Sequence, residues 1–229
     1  QKSAFDNQFS GMTSIEFTYE DYETTRTTLI ESIQKRLTDD EKKFFLSFEK
    51  RKPQAREVVL IAVMIALAVA SRAAFFMVPQ FKPMLAVIII AGVCLGAQSG
   101  FLVGSMSAFV SNFLFGQGPW TPFQMLAWGL IGFVAGLLAA NLLKGKHPVA
   151  LSVYGFFAVF LIHGGITDLW TLLGMSATPT LAMVLTVYGT GLVFNMILAV
   201  ATVIFLMLLA RPMIEKIERV QLKYGLLVK

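Results

Sequence analysis

Two long stretches of this chain carry no charge at all. Between Pro83 and Leu143 there is no Asp, Glu, Lys or Arg, and none recurs from Leu169 to Ala210. A helix needs about 20 apolar residues to cross the hydrocarbon layer, so the first stretch has room for about three crossings and the second for one or two. These blocks explain why only 14% of the 229 residues are charged, where a soluble domain would be about a quarter charged. The expected fold class is all-α and integral to a membrane. Six transmembrane helices are preceded by a short soluble helical segment.

The apolar segments run from Glu57 to Phe76, Met84 to Ala97, Gly100 to Phe115, Thr121 to Leu143, Val149 to Leu173 and Leu181 to Ala210. The second and third are short enough to be tilted or partly re-entrant. Pro79, Pro83, Pro119, Pro122, Pro148 and Pro179 fall between segments, where a missing amide donor does least damage. No motif recurs at a fixed period.

Residues 1–56 form a different region, with ten acidic and ten basic residues. Tyr19 to Arg36 reads as a helix with Leu29, Ile30 and Ile33 on a narrow apolar stripe. Thr38 and Glu41 have the spacing of a capping box, in which each side chain satisfies an early backbone amide of the following helix. That helix carries Phe44, Phe45 and Phe48. Two such helices bury little area, so the segment is expected to lean on the membrane surface or on a partner. The two domains expected are thus a soluble amphipathic segment, 1–56, and a membrane domain, 57–229. The polar start at Gln1 carries no signal peptide.

The net charge of +5 belongs wholly to the membrane part. Lys50, Arg51, Lys52 and Arg56 precede the first segment, Lys144 and Lys146 lie between the fourth and fifth, and Arg211, Lys216, Arg219 and Lys223 follow the sixth. Six crossings put all three groups on one side, which the positive-inside rule makes cytoplasmic. Both termini are then cytoplasmic, in a multi-pass protein of a prokaryotic cell membrane.

Polar residues in apolar surroundings are the candidates for chemistry, because an unpartnered polar group in hydrocarbon is expensive and tends to face a bundle interior or cavity. Asn112, Gln117, Trp120, Gln124 and Asp168 fall near the outer ends of their segments. Trp120, Gln124 and Trp128 lie at i, i+4 and i+8, on one helical face. Tyr188 shares a face with Asn195, and His163 with Trp170. Together they describe an outward-opening pocket with flat apolar walls and a few hydrogen-bonding groups. Tryptophans also populate the interfacial belt of ordinary membrane proteins, and His163 is open to a purely structural role. Arg72 and Lys82 either meet an anionic ligand at the outer rim or snorkel to headgroups. Ala62, Ala66 and Ala70 line one face of the first helix, where small side chains admit a neighbouring helix; internal packing is the competing reading. Gly92, Gly96, Gly129, Gly132 and Gly136 suit close packing.

Enzyme signals are poor. There is no HExxH motif and no Gly-rich phosphate loop, and Cys94 is the only cysteine. Ser105 or Ser107 with His163 raises an intramembrane serine hydrolase, but GSMSAF lacks the Gly-x-Ser-Gly turn of rhomboid-like proteases. A membrane scaffold without a ligand is the other alternative. No catalytic residue, cofactor, metal or nucleic-acid partner is expected.

Residues 57–229 resemble the substrate-binding S component of an energy-coupling factor (ECF) transporter. The likeness rests on Ala62-Val-Met-Ile-Ala66, on FFMVPQFKP at 75–83, on VSNFLFGQGPWTPFQM at 110–125 and on the six-segment length. It implies a six-helix protein that captures a vitamin-type molecule from outside and relies on a shared transmembrane T component and two ATPases. By that resemblance Ala62, Ala66 and Ala70 meet the T component and the loop after the first helix closes over the ligand. The 110–125 stretch looks most like cobalamin-type members; pantothenate, queuosine-precursor and riboflavin binders share the plan. Separately, SAFDNQFSGM at 3–12 and LTDDEKKFFLSFEK at 37–50 resemble the C-terminal end of AbiEii-type nucleotidyltransferase toxins. None of that family's catalytic motifs is present, which implies a fused or appended fragment.

Overall fold

The computed structural model describes residues 55–139, 147–176 and 178–224, together with Thr28. The chain divides into two compact units, Gln1–Lys52 and Pro53–Lys229. The helices and capping box expected in residues 1–56, the basic residues Lys50, Arg51, Lys52, Lys144 and Lys146, and the Arg56 side chain lie outside the described residues.

The second unit is helical, with no strand among the described residues. Its helices are α1 (Ala55–Ala74), α2 (Met84–Leu95), α3 (Ala97–Phe115), α4 (Thr121–Leu138), α5 (Pro148–Phe157), α6 (Gly164–Met175) and α7 (Leu181–Tyr224). A π-helical stretch, Ala158–His163, joins α5 to α6 into one rod. Among the described residues, four helices are long and apolar enough to cross a membrane: Glu57–Ala74 within α1, Thr121–Leu138, Pro148–Met175 and Leu181–Tyr224.

Sequence explains why α2 occupies the centre. MLAVIIIAGVCL is apolar on every side, and all of it but Cys94 is buried. A helix without a polar face has no side to give to water, and packing against its neighbours rather than hydrophobicity keeps it from the lipid. Helices α1, α3, α4, α5 and α7 all pack against it. Twelve residues make it about 18 Å long, so the helix by itself is shorter than a hydrocarbon layer of about 30 Å. It passes into α3 through Gly96 alone, whose φ of +90° turns the chain. That region is open to glycine and costly for a residue with a Cβ. Gly96 therefore serves the turn rather than the helix packing expected for it.

The other glycines let backbones touch. A Cβ on Gly100 would strike the Gly132 carbonyl and come within 2.6 Å of the Gly92 Cα. One on Gly104 would strike the Trp128 carbonyl, and one on Gly136 the backbone of Ala97. Helices α2, α3 and α4 thus meet along a seam without side chains. In lipid, where apolar side chains gain nothing by leaving their surroundings, such close packing is what drives association.

Two boundaries differ from the sequence reading. Pro122 and Pro148 sit in the first turns of α4 and α5 rather than between segments, where their missing N–H is no loss. The last helix does not stop at Ala210. It runs through Pro212 to Tyr224, because the chain turns amphipathic rather than irregular where its hydropathy ends. Ile214 and Ile217 stay buried, Arg211 pairs with Glu215 one turn on, and Gln221 Nε2 donates to the Cys94 carbonyl at 2.9 Å. The far end of α7 is thereby fastened under the C-terminal end of α2.

Gly100→Ala is expected to lower thermal stability in detergent by about 1–3 kcal/mol, the usual cost of overpacking. Gly189→Ala, with nothing within 4 Å of the added carbon, is expected to be neutral or mildly stabilising. Equal effects would mean that the seam does not hold the bundle.

Candidate functional site

A cavity of about 540 Å³ opens at one end of the bundle. The end of α1, the loop 75–83, the start of α4, the rod from His163 to Thr171 and residues 191–198 of α7 enclose it. Met84, the first residue of α2, forms part of the lining. The cavity thus lies at the opposite end of α2 from the Gln221 contact. All three tryptophans of the chain line it: Trp120, Trp128 and Trp170.

Arg72 organises one wall. Its guanidinium donates to Ser111 Oγ and, at 2.8 Å, to Asn112 Oδ1 on α3. It also lies 4.5 Å from the centre of the Phe115 ring and 5.2 Å from that of Trp128. Asn112 passes the connection on, donating to Gln124 Oε1 at 2.8 Å and to Thr121 Oγ1 at 3.1 Å. With its carbonyl used, Gln124 has its amide nitrogen to offer the cavity. Lys82 lines the same side, its ammonium 5.8 Å from the Phe115 ring. Burial pushes the Lys82 ammonium below its usual pKa range, and the Arg72 charge pushes it further the same way.

The π-helical stretch ends at His163 and brings it into the lining. Such stretches occur mostly where a helix must re-aim a side chain, often at functional sites. Trp128 Nε1 donates to His163 Nδ1 at 3.3 Å. An indole can only donate, so the imidazole is neutral, with its proton on Nε2. Opposite, Asn195 Nδ2 donates to Asp168 Oδ2 at 2.9 Å. Two glycines make room for that pair. A Cβ on Gly191 would lie 2.6 Å from Asp168 Oδ1, and one on Gly164 would lie 2.7 Å from Asn195 Nδ2. Phe123 and Trp170 pack against each other as an aromatic wall, ring centres 4.8 Å apart and planes tilted by 36°.

The candidates from the sequence therefore separate. Arg72, Lys82, Trp120, Gln124, Trp128, His163, Asp168 and Asn195 all line the cavity. Asn112 is buried behind the wall, at 1% exposure, and acts through Arg72 and Gln124. Gln117 ties the α3–α4 connection together, donating to the Phe109 carbonyl and accepting from Thr121 Oγ1. Tyr188 is outside the lining, its hydroxyl donating to the Gly165 carbonyl at 3.4 Å. Sequence reasoning missed Thr167 and Thr171, which continue the His163 face at four-residue steps, and Phe194 and Leu198 beside Asn195. Periodicity could have found them. It could not have found Gln80, placed in the lining by a left-handed φ of +56°.

Ala62, Ala66 and Ala70 are exposed on the outside of α1, so they do not pack inside this bundle. Ser105 donates to the Met125 carbonyl, and His163 is engaged by Trp128. Neither Ser105 nor Ser107 is bonded to the histidine, so the described residues hold no serine–histidine pair.

The profile of the family described as ECF-type riboflavin transporter, S component, matches residues 52–214. A UPF0397 protein of Vibrio atlanticus (strain LGP32) is 31% identical over 121 residues, covering 49% of this chain and 65% of that relative. The chain thus spans less than two thirds of the length of that relative. No solved structure matches the chain. With most of its length, including every helix that frames the cavity, inside the family match, the chain belongs to the ECF-type riboflavin transporter S component family.

Proposed function

We propose that this protein is the substrate-binding subunit of an ECF-type, ATP-driven importer and that the cavity holds its cargo, a flat-ringed organic micronutrient. The family is one of transporter components rather than enzymes. One observation carries the reading: the cavity gathers all three tryptophans beside polar groups from five separate elements. A volume of about 540 Å³ sits in the range of about 300–1,000 Å³ usual for small-molecule sites. The Phe123–Trp170 pair offers aromatic contact to a fused heteroaromatic ring. The family description names riboflavin, and a tricyclic flavin matches both size and shape. A corrinoid such as cobalamin, which the 110–125 stretch suggests, is bulkier than the cavity and would have to widen it.

In the membrane the reading is six crossings with both termini cytoplasmic. The basic residues Arg211, Lys216, Arg219 and Lys223 of α7 lie at the opposite end of the bundle from the cavity. With that end inside, the cavity opens outward. Residues 1–56 would be a soluble appendage on the cytoplasmic face. The exposed Ala62, Ala66 and Ala70 offer a smooth strip to a transmembrane T component, and two ATPase subunits supply the energy.

Titrating the detergent-purified protein with riboflavin, cobalamin, pantothenate and queuine tests the cargo by thermal shift. A ligand of the folded state at about 100 times its Kd adds about 2.7 kcal/mol of stability. Riboflavin is expected to raise the melting temperature and cobalamin to leave it unmoved; the reverse would overturn the flavin reading. Trp170→Ala is expected to weaken flavin binding by about tenfold to a hundredfold, through lost aromatic contact. Tyr188→Phe, outside the cavity, is expected to stay within about twofold. In vesicles reconstituted with the T component and ATPases, Ala66→Trp is expected to abolish uptake while leaving ligand affinity intact. Loss of binding would show that the alanine strip supports the site instead.

A further inference from the structure

The charges around the cavity do not balance. Arg72 and Lys82 line the same side of it, close enough for the arginine to act on the lysine. Arg72 is held by two neutral oxygens and two aromatic rings. Such partners solvate a guanidinium but do not neutralise it. The Arg211–Glu215 salt bridge lies at the other end of α7 and involves neither of them. Arg72 Nε is buried without a hydrogen-bond partner. The carboxylate in the lining, Asp168, belongs to Asn195 of α7. Two cations face one carboxylate that is already engaged, in a region where uncompensated charge is expensive.

The neighbouring polar groups have the same bias. Gln124 uses its carbonyl on Asn112 and His163 uses Nδ1 on Trp128, so each has a donor left for the cavity. One wall thus presents four donors, two of them charged, and no free acceptor among these groups. The carbonyls and ring nitrogens of a neutral ring can take such donors, but they leave the two positive charges uncompensated.

We propose that Arg72 and Lys82 form an anion subsite within the cavity, so that a flat-ringed ligand bearing a carboxylate or phosphate binds more tightly than a neutral ring such as riboflavin. This rests on the reading of the cavity as the ligand site and deepens it. Gln124 and His163 supply neutral hydrogen bonds next to the charged pair, and the Phe123–Trp170 wall takes the ring. The same chemistry would accept the phosphate of an anionic lipid headgroup, which the test separates.

Because every tryptophan lines the cavity, intrinsic fluorescence of the full chain reports on this site. In neutral detergent at low salt, the protein is titrated with 10-carboxymethylflavin and with its carboxamide, which differ only in charge at one group. The carboxylate is expected to bind at least about tenfold more tightly, as one charge-assisted hydrogen bond allows. Lys82→Gln and Arg72→Gln are expected to bring that ratio close to one, and Arg72→Lys to restore part of it. Lys82→Gln remains informative if Arg72→Gln fails to fold, because Arg72 also ties α1 to α3.

Equal affinities in the unaltered protein, or a preference that survives both Gln variants, overturn the proposal. If neither flavin binds, iodide and caesium quenching decide. Iodide quenching that exceeds caesium and is lost in the Gln variants keeps the anion subsite while sinking the flavin reading; equal quenching sinks both. Phosphatidylglycerol added to the micelles is expected to leave the carboxylate preference in place. If it abolishes that preference, the subsite belongs to a lipid headgroup and not to the cargo.

Discussion

Helix α2 is the constraint from which the rest follows. A twelve-residue rod with no polar face has no side to give to water, and by itself it is shorter than the hydrocarbon layer. Its neighbours enclose it, and α3 and α4 come closest because Gly92, Gly100 and Gly132 remove the side chains that would hold the backbones apart. The single-residue turn at Gly96 then sends α3 back along α2 without a loop. At the other end of α2 no comparable seal exists. Helices α1, α4 and α7 and the rod ending in α6 stand around Met84 and leave the cavity between them. The tightness of the seam and the openness of the site are two consequences of one short central helix.

The polar groups within this bundle form connected chains rather than isolated contacts. Arg72 reaches Asn112, and Asn112 reaches Gln124, so α1, α3 and α4 are joined by charge-assisted and amide hydrogen bonds. Trp128 holds His163, and Asn195 holds Asp168, joining α4 to the rod and the rod to α7. Each chain ends at the cavity. Such bonds fix which face of each helix looks inward, a task that hydrophobicity alone performs poorly in lipid. The aromatic contacts of Phe75 and Phe81 with Phe205, at 5.2 and 5.3 Å, fasten the loop after α1 onto α7. That loop carries Gln80 and Lys82, so its attachment also sets the rim.

Much of this was legible in the residue order. The uncharged blocks announced the membrane, and the four-residue spacing of Trp120, Gln124 and Trp128 placed them correctly on one cavity-facing side. Asp168 and Asn195 stood out as polar groups in apolar surroundings, although nothing in the sequence paired them with each other. Tyr188 misled for a physical reason. It shares a helical face with Asn195, but two turns nearer the end of α7 that face reaches the Gly165 carbonyl instead of the cavity. Asn112 was found for the right reason and given the wrong distance, since burial behind the wall looks the same in sequence as exposure to the pocket. The length of α7 was hidden because hydropathy reports where lipid ends and not where a helix ends. The space that Gly191 leaves for Asp168 is a missing side chain, which only coordinates reveal.

Ligand capture in the cavity is tested most directly by a structure of the protein determined with saturating riboflavin. Electron density for the ring against Phe123 and Trp170, within reach of Gln124 and His163, is the expected result. A saturated protein whose cavity stays empty, or whose ligand lies on another surface, would contradict the assignment of the site.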